Sequence, residues 1–182
     1  RPSETAIQIL PGDVREKSRI YKAPMTIVLV IDVSKSMLYN IEPVREAILK
    51  LHGDAYRYRD KVGVVALKGM SAVVVQHPIT NLRVVANKLL KLHVSGFTPL
   101  AAGMFKAWEV LEEAKRRDRS TIPVMVLVTD GNANVPLKRS LQSGEVRTFD
   151  PLDAAFFKYE DLAVNDVVSV SEMLKKKGIH TV

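Results

Sequence analysis

Two stretches of the chain are apolar at almost every position, which is typical of strands that are buried on both faces of a sheet. They are "TIVLVID" at 26–32 and "IPVMVLVTD" at 122–130. Central strands of a parallel sheet have this continuous pattern, because helices cover both of their faces. The two stretches therefore predict a pair of central strands.

The remaining segments alternate between helical and extended patterns. Apolar residues at helical spacing predict four helices, at about 41–59, 81–92, 99–117 (with Pro99 in the first turn) and 166–178. Strands are predicted at 62–69 and 71–78, and their connection is so short that they must pair in antiparallel fashion. The final "IHTV" begins a further strand.

This alternation predicts an α/β fold: a doubly wound, Rossmann-like, mostly parallel central sheet with one antiparallel edge strand and helices on both faces. We expect residues 1–24 to form a segment that enters the domain and residues 25–182 to form the domain itself, with an irregular insertion at 141–165. In such sheets, ligands bind beyond the carboxyl ends of the strands, where the strand order reverses. Asp32 and Asp130 end the two central strands, so we expect them to be neighbours.

Composition narrows the classes of function. The 182 residues carry a net charge of +7 and no cysteine, so disulfides and thiolate metal sites are excluded. The basic residues are scattered among predicted helix ends, where the helix dipole favours them, so nucleic-acid binding is not expected. No apolar run is long enough to cross a membrane, and we expect a cytoplasmic protein.

Oxygen-bearing side chains collect at the predicted strand ends. "DVSKS" presents Asp32, Ser34 and Ser36 at alternate positions, "SGFTPL" places Thr98 just before a helix, and "VTDG" supplies Asp130. Two carboxylates and three hydroxyls are the hard donors that suit Mg²⁺, although Mn²⁺ or Ca²⁺ could substitute. If the aspartates act through water, one coordination position remains open.

Other readings of the same residues are weaker. Asp32 could cap a helix, but that would leave Thr98 and Asp130 unexplained. A phosphatase that uses Asp32 as nucleophile would need a carboxylate two residues later, where this chain has Ser34. A metal-dependent hydrolase would need a general base near the strand ends, and the sequence indicates none. A protein-interaction module that uses Mg²⁺ as a bridge is the preferred hypothesis.

The five residues resemble the metal-ion-dependent adhesion site of von Willebrand factor A domains, whose pattern is D-x-S-x-S followed by a distant T and then D. The resemblance implies a six-stranded doubly wound sheet with one antiparallel edge strand. It also implies a metal held by these five residues. The fourth position of D-x-S-x-S is often Gly in the family and is Lys35 here, which adds a positive charge beside the metal.

The flanking segments "DAYRYRDKVGVVALKG", "SGFTPLAAG" and "VTDGNANVPL" resemble the A domain of the D subunit of magnesium chelatase and cobaltochelatase. This resemblance implies a non-catalytic partner of an AAA+ ATPase in ATP-driven insertion of a divalent metal into a tetrapyrrole. Other A-domain proteins paired with AAA+ ATPases remain an alternative. An A domain would continue past "GIHTV", so we expect C-terminal elements to be missing.

The same resemblance implies a partner. The expected partner is an AAA+ ATPase subunit or the porphyrin-binding chelatase subunit, which would supply an acidic residue to the open metal position. The expected rim of this contact consists of Lys35, Phe97, Gly131 and Asn132.

Overall fold

The computed structural model describes residues 23–33, 41–50, 58–91, 96–142 and 160–182. The described part of the chain contains five strands and five helices. In chain order they are β1 (Met25–Asp32), α1 (Ile41–Lys50), β2 (Lys61–Lys68), β3 (Ser71–Ile79), α2 (Leu82–Leu89), α3 (Leu100–Arg117), β4 (Ile122–Val128), α4 (Leu137–Gln142), α5 (Glu160–Lys176) and β5 (His180–Thr181).

The strands form one sheet in the order β3-β2-β1-β4-β5. β1 pairs in parallel with both β2 and β4, and β4 pairs in parallel with β5. β2 and β3 form the antiparallel hairpin that the short connection predicted, and β3 is the antiparallel strand at one edge of the sheet. The order reverses between β1 and β4, so the carboxyl ends of these two strands flank the position at which ligands bind in such folds.

The two faces of β1 explain why its sequence from Ile27 to Ile31 is apolar at every position. Val28 and Val30 pack on the face covered by α3 and α5, and neither is more than 1% exposed. Leu29 and Ile31 pack on the opposite face against α1 and α2. Each face therefore has its own hydrophobic core, and the predicted doubly wound arrangement is confirmed.

α3 approaches the sheet closely at Gly103. A Cβ atom at this position would overlap with Cδ2 of Leu67 and would lie 2.9 Å from Cγ1 of Val30. Both neighbours are buried in the core, so neither can move into solvent. The absence of a side chain at Gly103 therefore fixes how near the helix lies to β1 and β2, and α3 begins two residues after Thr98.

Hydrogen bonds fix the amino end of β1, opposite to the end that carries Asp32. The backbone N–H of Met25 donates to Oδ1 of Asp60 over 2.7 Å, and the hydroxyls of Thr26 and Thr121 lie 2.8 Å apart. The Thr121 hydroxyl also donates to the carbonyl oxygen of Pro24. These bonds hold β1 in register with its neighbours, and Asp32 is thereby placed at the far end.

Side chains cover part of the outer edge of β3. Nζ of Lys88, on α2, donates to the carbonyl oxygen of Val75 over 3.1 Å. Nε2 of Gln76 donates to the carbonyl oxygen of His77 over 2.9 Å. These two carbonyl groups belong to the edge strand, and both are satisfied from within the chain.

Some boundaries differ from those predicted. The last helix begins at Glu160 rather than at 166, because its buried stripe extends back through Val170 to Ala163. The segment predicted to be irregular, 141–165, is therefore helical at both ends, and residues 143–159 lie outside the described residues. The helix predicted at 41–59 is described as α1, with residues 51–57 also outside.

The proposed division of the chain at residue 24 stays a prediction, since residues 1–22 lie outside the described residues. Within the part of the chain that the structure describes, no helix is both long enough and apolar enough to cross a membrane.

Candidate metal centre

Asp32 is the last residue of β1 and is completely buried, with 0% of its surface exposed. The strand is paired on both sides, so the backbone delivers this carboxylate to the point where the strand order reverses. A buried carboxylate is costly unless hydrogen bonds or a cation compensate for the lost water. The hydroxyl of Thr98 donates one such bond to Oδ2 of Asp32 over 3.2 Å.

Thr98 is held in place by the turn that starts α3. The backbone N–H of Leu100 donates to the carbonyl oxygen of Thr98 over 2.9 Å, and Pro99 between them has φ −76° and ψ 64°. These are the dihedrals of an inverse γ-turn, and the proline ring favours that φ. Pro99 was predicted in the first turn of the helix, whereas it lies just before α3. The Pro99 carbonyl accepts the first helical bond, from Gly103.

The loop after β4 contains the second candidate carboxylate. Asp130 is exposed, and its Oδ1 accepts a hydrogen bond from the backbone N–H of Asn132 over 3.2 Å. Gly131 has a φ of 88°, which a residue with a side chain rarely adopts, and its N–H donates to the hydroxyl of Thr129. The tight turn therefore keeps the Asp130 carboxylate at the surface, whereas Asp32 is buried.

A third residue of this loop, Asn134, contacts Thr98 directly. The backbone N–H of Thr98 donates to Oδ1 of Asn134 over 2.8 Å, and the N–H of Asn134 donates back to the Thr98 carbonyl over 3.3 Å. Asn134 was not among the residues predicted from the sequence. The sequence offered one indication of its role, because Asn134 is a polar residue between two apolar ones. The structure shows that these two, Ala133 and Val135, are buried.

The structure brings two of the five predicted ligands, Asp32 and Thr98, into contact. It attaches the Asp130 loop to Thr98 through Asn134. Of the predicted rim, Phe97 is half-buried beside Thr98, while Gly131 and Asn132 are exposed. Ser34, Lys35 and Ser36 lie outside the described residues. The metal-binding role of all five residues, and the rim, stay predictions.

The described residues fit a hard divalent cation. Adjacent oxygens in an octahedral Mg²⁺ shell are separated by about 3.0 Å, given metal–oxygen distances of about 2.1 Å. The separation of 3.2 Å between the Thr98 hydroxyl and the Asp32 carboxylate is close to that value. In the described ranges, no three His, Cys, Asp or Glu side chains converge. The two oxygen donors that meet here are a carboxylate and a hydroxyl.

Comparison with known proteins identifies the family. A family model for the von Willebrand factor type A domain matches residues 27–132, which is more than half of the chain. The chain belongs to the von Willebrand factor type A family. The matched region begins in β1 and ends just after Asp130, so it contains both strand ends of the candidate site.

Several curated proteins are similar to this type A domain. An uncharacterized protein of Mycobacterium tuberculosis is 34% identical over 71% of this chain and 22% of its own length. The magnesium-chelatase 67 kDa subunit of Chlorobaculum parvum is 30% identical over 72% of this chain and 21% of its own length. The magnesium-chelatase 60 kDa subunit of Rhodobacter capsulatus is 29% identical over 74% and 24%, respectively. The chain thus spans about a fifth to a quarter of the length of these relatives.

Solved structures support the fold. The VWA domain of SpRpn10 aligns with a TM-score of 0.58 at 12% identity, covering 87% of this chain and 72% of that one. The manganese-loaded TRAP protein of Plasmodium vivax aligns with a TM-score of 0.53 at 15% identity, covering 87% and 56%. At these identities the likeness shows a shared fold, and the manganese belongs to the second protein.

Proposed function

We propose that this type A domain binds a divalent cation, with Mg²⁺ as the physiological ion, and uses it to dock an acidic residue of a partner protein. One observation carries the proposal. Asp32 is fully buried at the position where the strand order reverses, and the Thr98 hydroxyl lies 3.2 Å from it. A carboxylate and a hydroxyl that meet at this position match the chemistry of a hard cation.

The residues have distinct roles in this proposal. Asp32 and Thr98, with Ser34 and Ser36, hold the cation from the buried side. Asp130 is exposed and contributes through water. When bound, the cation supplies an electrophilic position that a carboxylate can occupy. Lys35, Phe97, Gly131 and Asn132 form the rim around that position, and Lys35 adds a positive charge that attracts an acidic residue.

The relatives suggest the assembly in which this docking occurs. Magnesium-chelatase subunits of two bacteria match this chain at 29–30% identity over about 70% of its length. We propose that the domain is a non-catalytic part of a chelatase-like complex, where it couples an AAA+ ATPase motor to the insertion of a divalent metal into a tetrapyrrole. Its partner is the ATPase subunit or the porphyrin-binding subunit. Another assembly built on an AAA+ ATPase is the alternative.

The double substitution Ser34→Ala with Ser36→Ala should abolish the binding of Mg²⁺, because it removes two of the proposed oxygen ligands. Isothermal titration calorimetry of the purified protein is the measurement. The matched control is Ser169→Ala with Ser171→Ala, two exposed serines on α5 whose hydroxyls donate only to carbonyls of their own helix. Mg²⁺ binding that persists in the first double variant would contradict the ligand assignment.

A partner should be released when the metal is removed. We expect the immobilised domain to retain an AAA+ ATPase subunit from extracts of its source organism in Mg²⁺, to release it in EDTA, and to recover it when Mg²⁺ is restored. Thr98→Ala should fail to retain the partner, and Lys35→Glu should weaken retention without loss of the metal. Retention that survives both EDTA and Asp32→Ala would place the interface elsewhere on the domain.

A further inference from the structure

We infer that Asn134 is a positioning residue of the metal centre: it holds Thr98 in the orientation that places its hydroxyl beside Asp32. This inference rests on the proposed metal binding at the same site. It concerns a residue that lies outside the five proposed ligands and outside the rim. The contacts that carry it are the two hydrogen bonds between the Thr98 loop and the loop after β4.

Every polar group of Thr98 has a defined partner. Its hydroxyl donates to Asp32 over 3.2 Å, and its carbonyl accepts from the N–H groups of Leu100 and Asn134 over 2.9 and 3.3 Å. Its own N–H donates to Oδ1 of Asn134 over 2.8 Å, the shortest of these bonds. Thr98 is 3% exposed, so water cannot readily replace a lost partner. The side chain of Asn134 therefore helps to fix the backbone of Thr98, from which the hydroxyl projects toward Asp32.

Asn134 is itself held firmly enough to act as a support. The neighbouring residues Ala133 and Val135 are buried, at 7% and 2% exposure. The end of the same loop is fixed where the backbone N–H of Leu137, the first residue of α4, donates to Oδ2 of Asp166 on α5 over 2.8 Å. The loop that contains Asp130 is thus held in place on the far side of Asn134. The side chain of Asn134 connects this fixed segment to Thr98.

Loss of the Asn134 oxygen should weaken metal binding while leaving the five ligands in place. Asn134→Ala removes the acceptor of the Thr98 N–H, so the hydroxyl is no longer fixed relative to Asp32. Residues that orient metal ligands typically change affinity by about 10- to 100-fold when they are removed. We expect a decrease in that range for Mn²⁺ and Mg²⁺, measured by calorimetry on the purified protein.

The control and the rescue separate positioning from a general effect on stability. Asn81→Ala is the matched control, because Asn81 is exposed, precedes α2 and makes no capping bond through its side chain. It should bind metal as the wild type does. Asn134→Asp keeps an oxygen that can accept from the Thr98 N–H, and should bind metal at least as tightly as the wild type. Thermal unfolding of each metal-free variant checks that it is folded.

Amide hydrogen exchange at Thr98 in the metal-free protein is the second readout. Protection should fall in Asn134→Ala and persist in Asn134→Asp. If Asn134→Ala does not fold, Asn134→Gln provides the same test, since its amide oxygen lies one methylene further out and cannot reproduce the bond; it should lower both affinity and protection.

Three results would overturn the inference. The first is unchanged metal affinity in Asn134→Ala, which would leave the proposed function intact. The second is restored affinity in Asn134→Asp without restored protection of Thr98, which would assign the effect to added negative charge. The third is a wild-type protein that binds no divalent cation, which would overturn the proposed function together with the inference.

Discussion

Saturating Mg²⁺ should raise the melting temperature of the wild-type protein by about 5–10 °C and should leave that of Asp32→Asn unchanged. A ligand that binds only the folded state stabilises it by about 2.7 kcal/mol at a concentration one hundred times the Kd. For a chain of this size, each kcal/mol shifts the melting temperature by about 2–4 °C. Asp32→Asn retains the volume of the buried side chain but removes the negative charge that a hard cation requires.

Asp161→Asn is the matched control for this experiment. Asp161 is an exposed carboxylate near the start of α5, and its substitution makes the same change of charge away from the sheet. It should show the full Mg²⁺-dependent shift. If Asp32→Asn also shows the full shift, the stabilising cation binds elsewhere, and the proposed metal centre is wrong.

The substitution Gly103→Val should lower the free energy of unfolding by about 3 kcal/mol, at the upper end of the usual cost of overpacking a core. Its side chain would enter the space occupied by Leu67 and Val30, which are buried in the core between α3 and the sheet. Helix propensity alone would predict the opposite sign for Gly103→Ala, a gain of about 1 kcal/mol. Urea denaturation of Gly103→Ala and Gly103→Val measures whether the cost of overpacking exceeds the gain in helix propensity.

A double-mutant cycle tests whether contact between Gly103 and Leu67 causes this loss of stability. Leu67→Ala alone should cost about 2–5 kcal/mol, as large-to-small core substitutions do. The double variant with Gly103→Ala should lose less free energy of unfolding than the sum of the two single losses, because the new Cβ occupies part of the space that Leu67 vacates. Gly96→Ala is the control, since a Cβ there meets nothing within 4 Å. Strictly additive effects of Leu67→Ala and Gly103→Ala would show that the helix and sheet are not in close contact at this point.

The central part of the fold could be predicted from sequence because its signals are local. The continuous apolar runs of β1 and β4 require burial on both faces, and the short link after β2 requires a hairpin. The start of α5 could not be predicted in the same way. Asp166, at the predicted start of this helix, accepts a hydrogen bond through its carboxylate from the backbone N–H of Leu137, 29 residues away. That contact exists only after the chain has folded.

The candidate site also has parts that could be predicted from the sequence and parts that could not. Asp32 and Thr98 could be predicted as neighbours because strand and helix ends in this fold converge on one edge of the sheet. Asn134 could not, because its role depends on two loops that meet across 36 positions of sequence. The exposure of Asp130 follows from the turn at Gly131, and the burial of Asp32 follows from its position at the end of a strand that is paired on both sides, so residue type predicts neither.

The edge strand β3 bears on how these molecules behave when they are crowded together. An exposed strand edge is a template on which the strand of another molecule can add, and long rows of such additions lead to aggregates. Lys88 and Gln76 already occupy the carbonyl groups of Val75 and His77, and Lys88 also brings a charge to this edge. An incoming strand would have to displace both side chains. Addition of another strand at this edge is therefore disfavoured while Lys88 and Gln76 stay in place, even where many copies lie side by side.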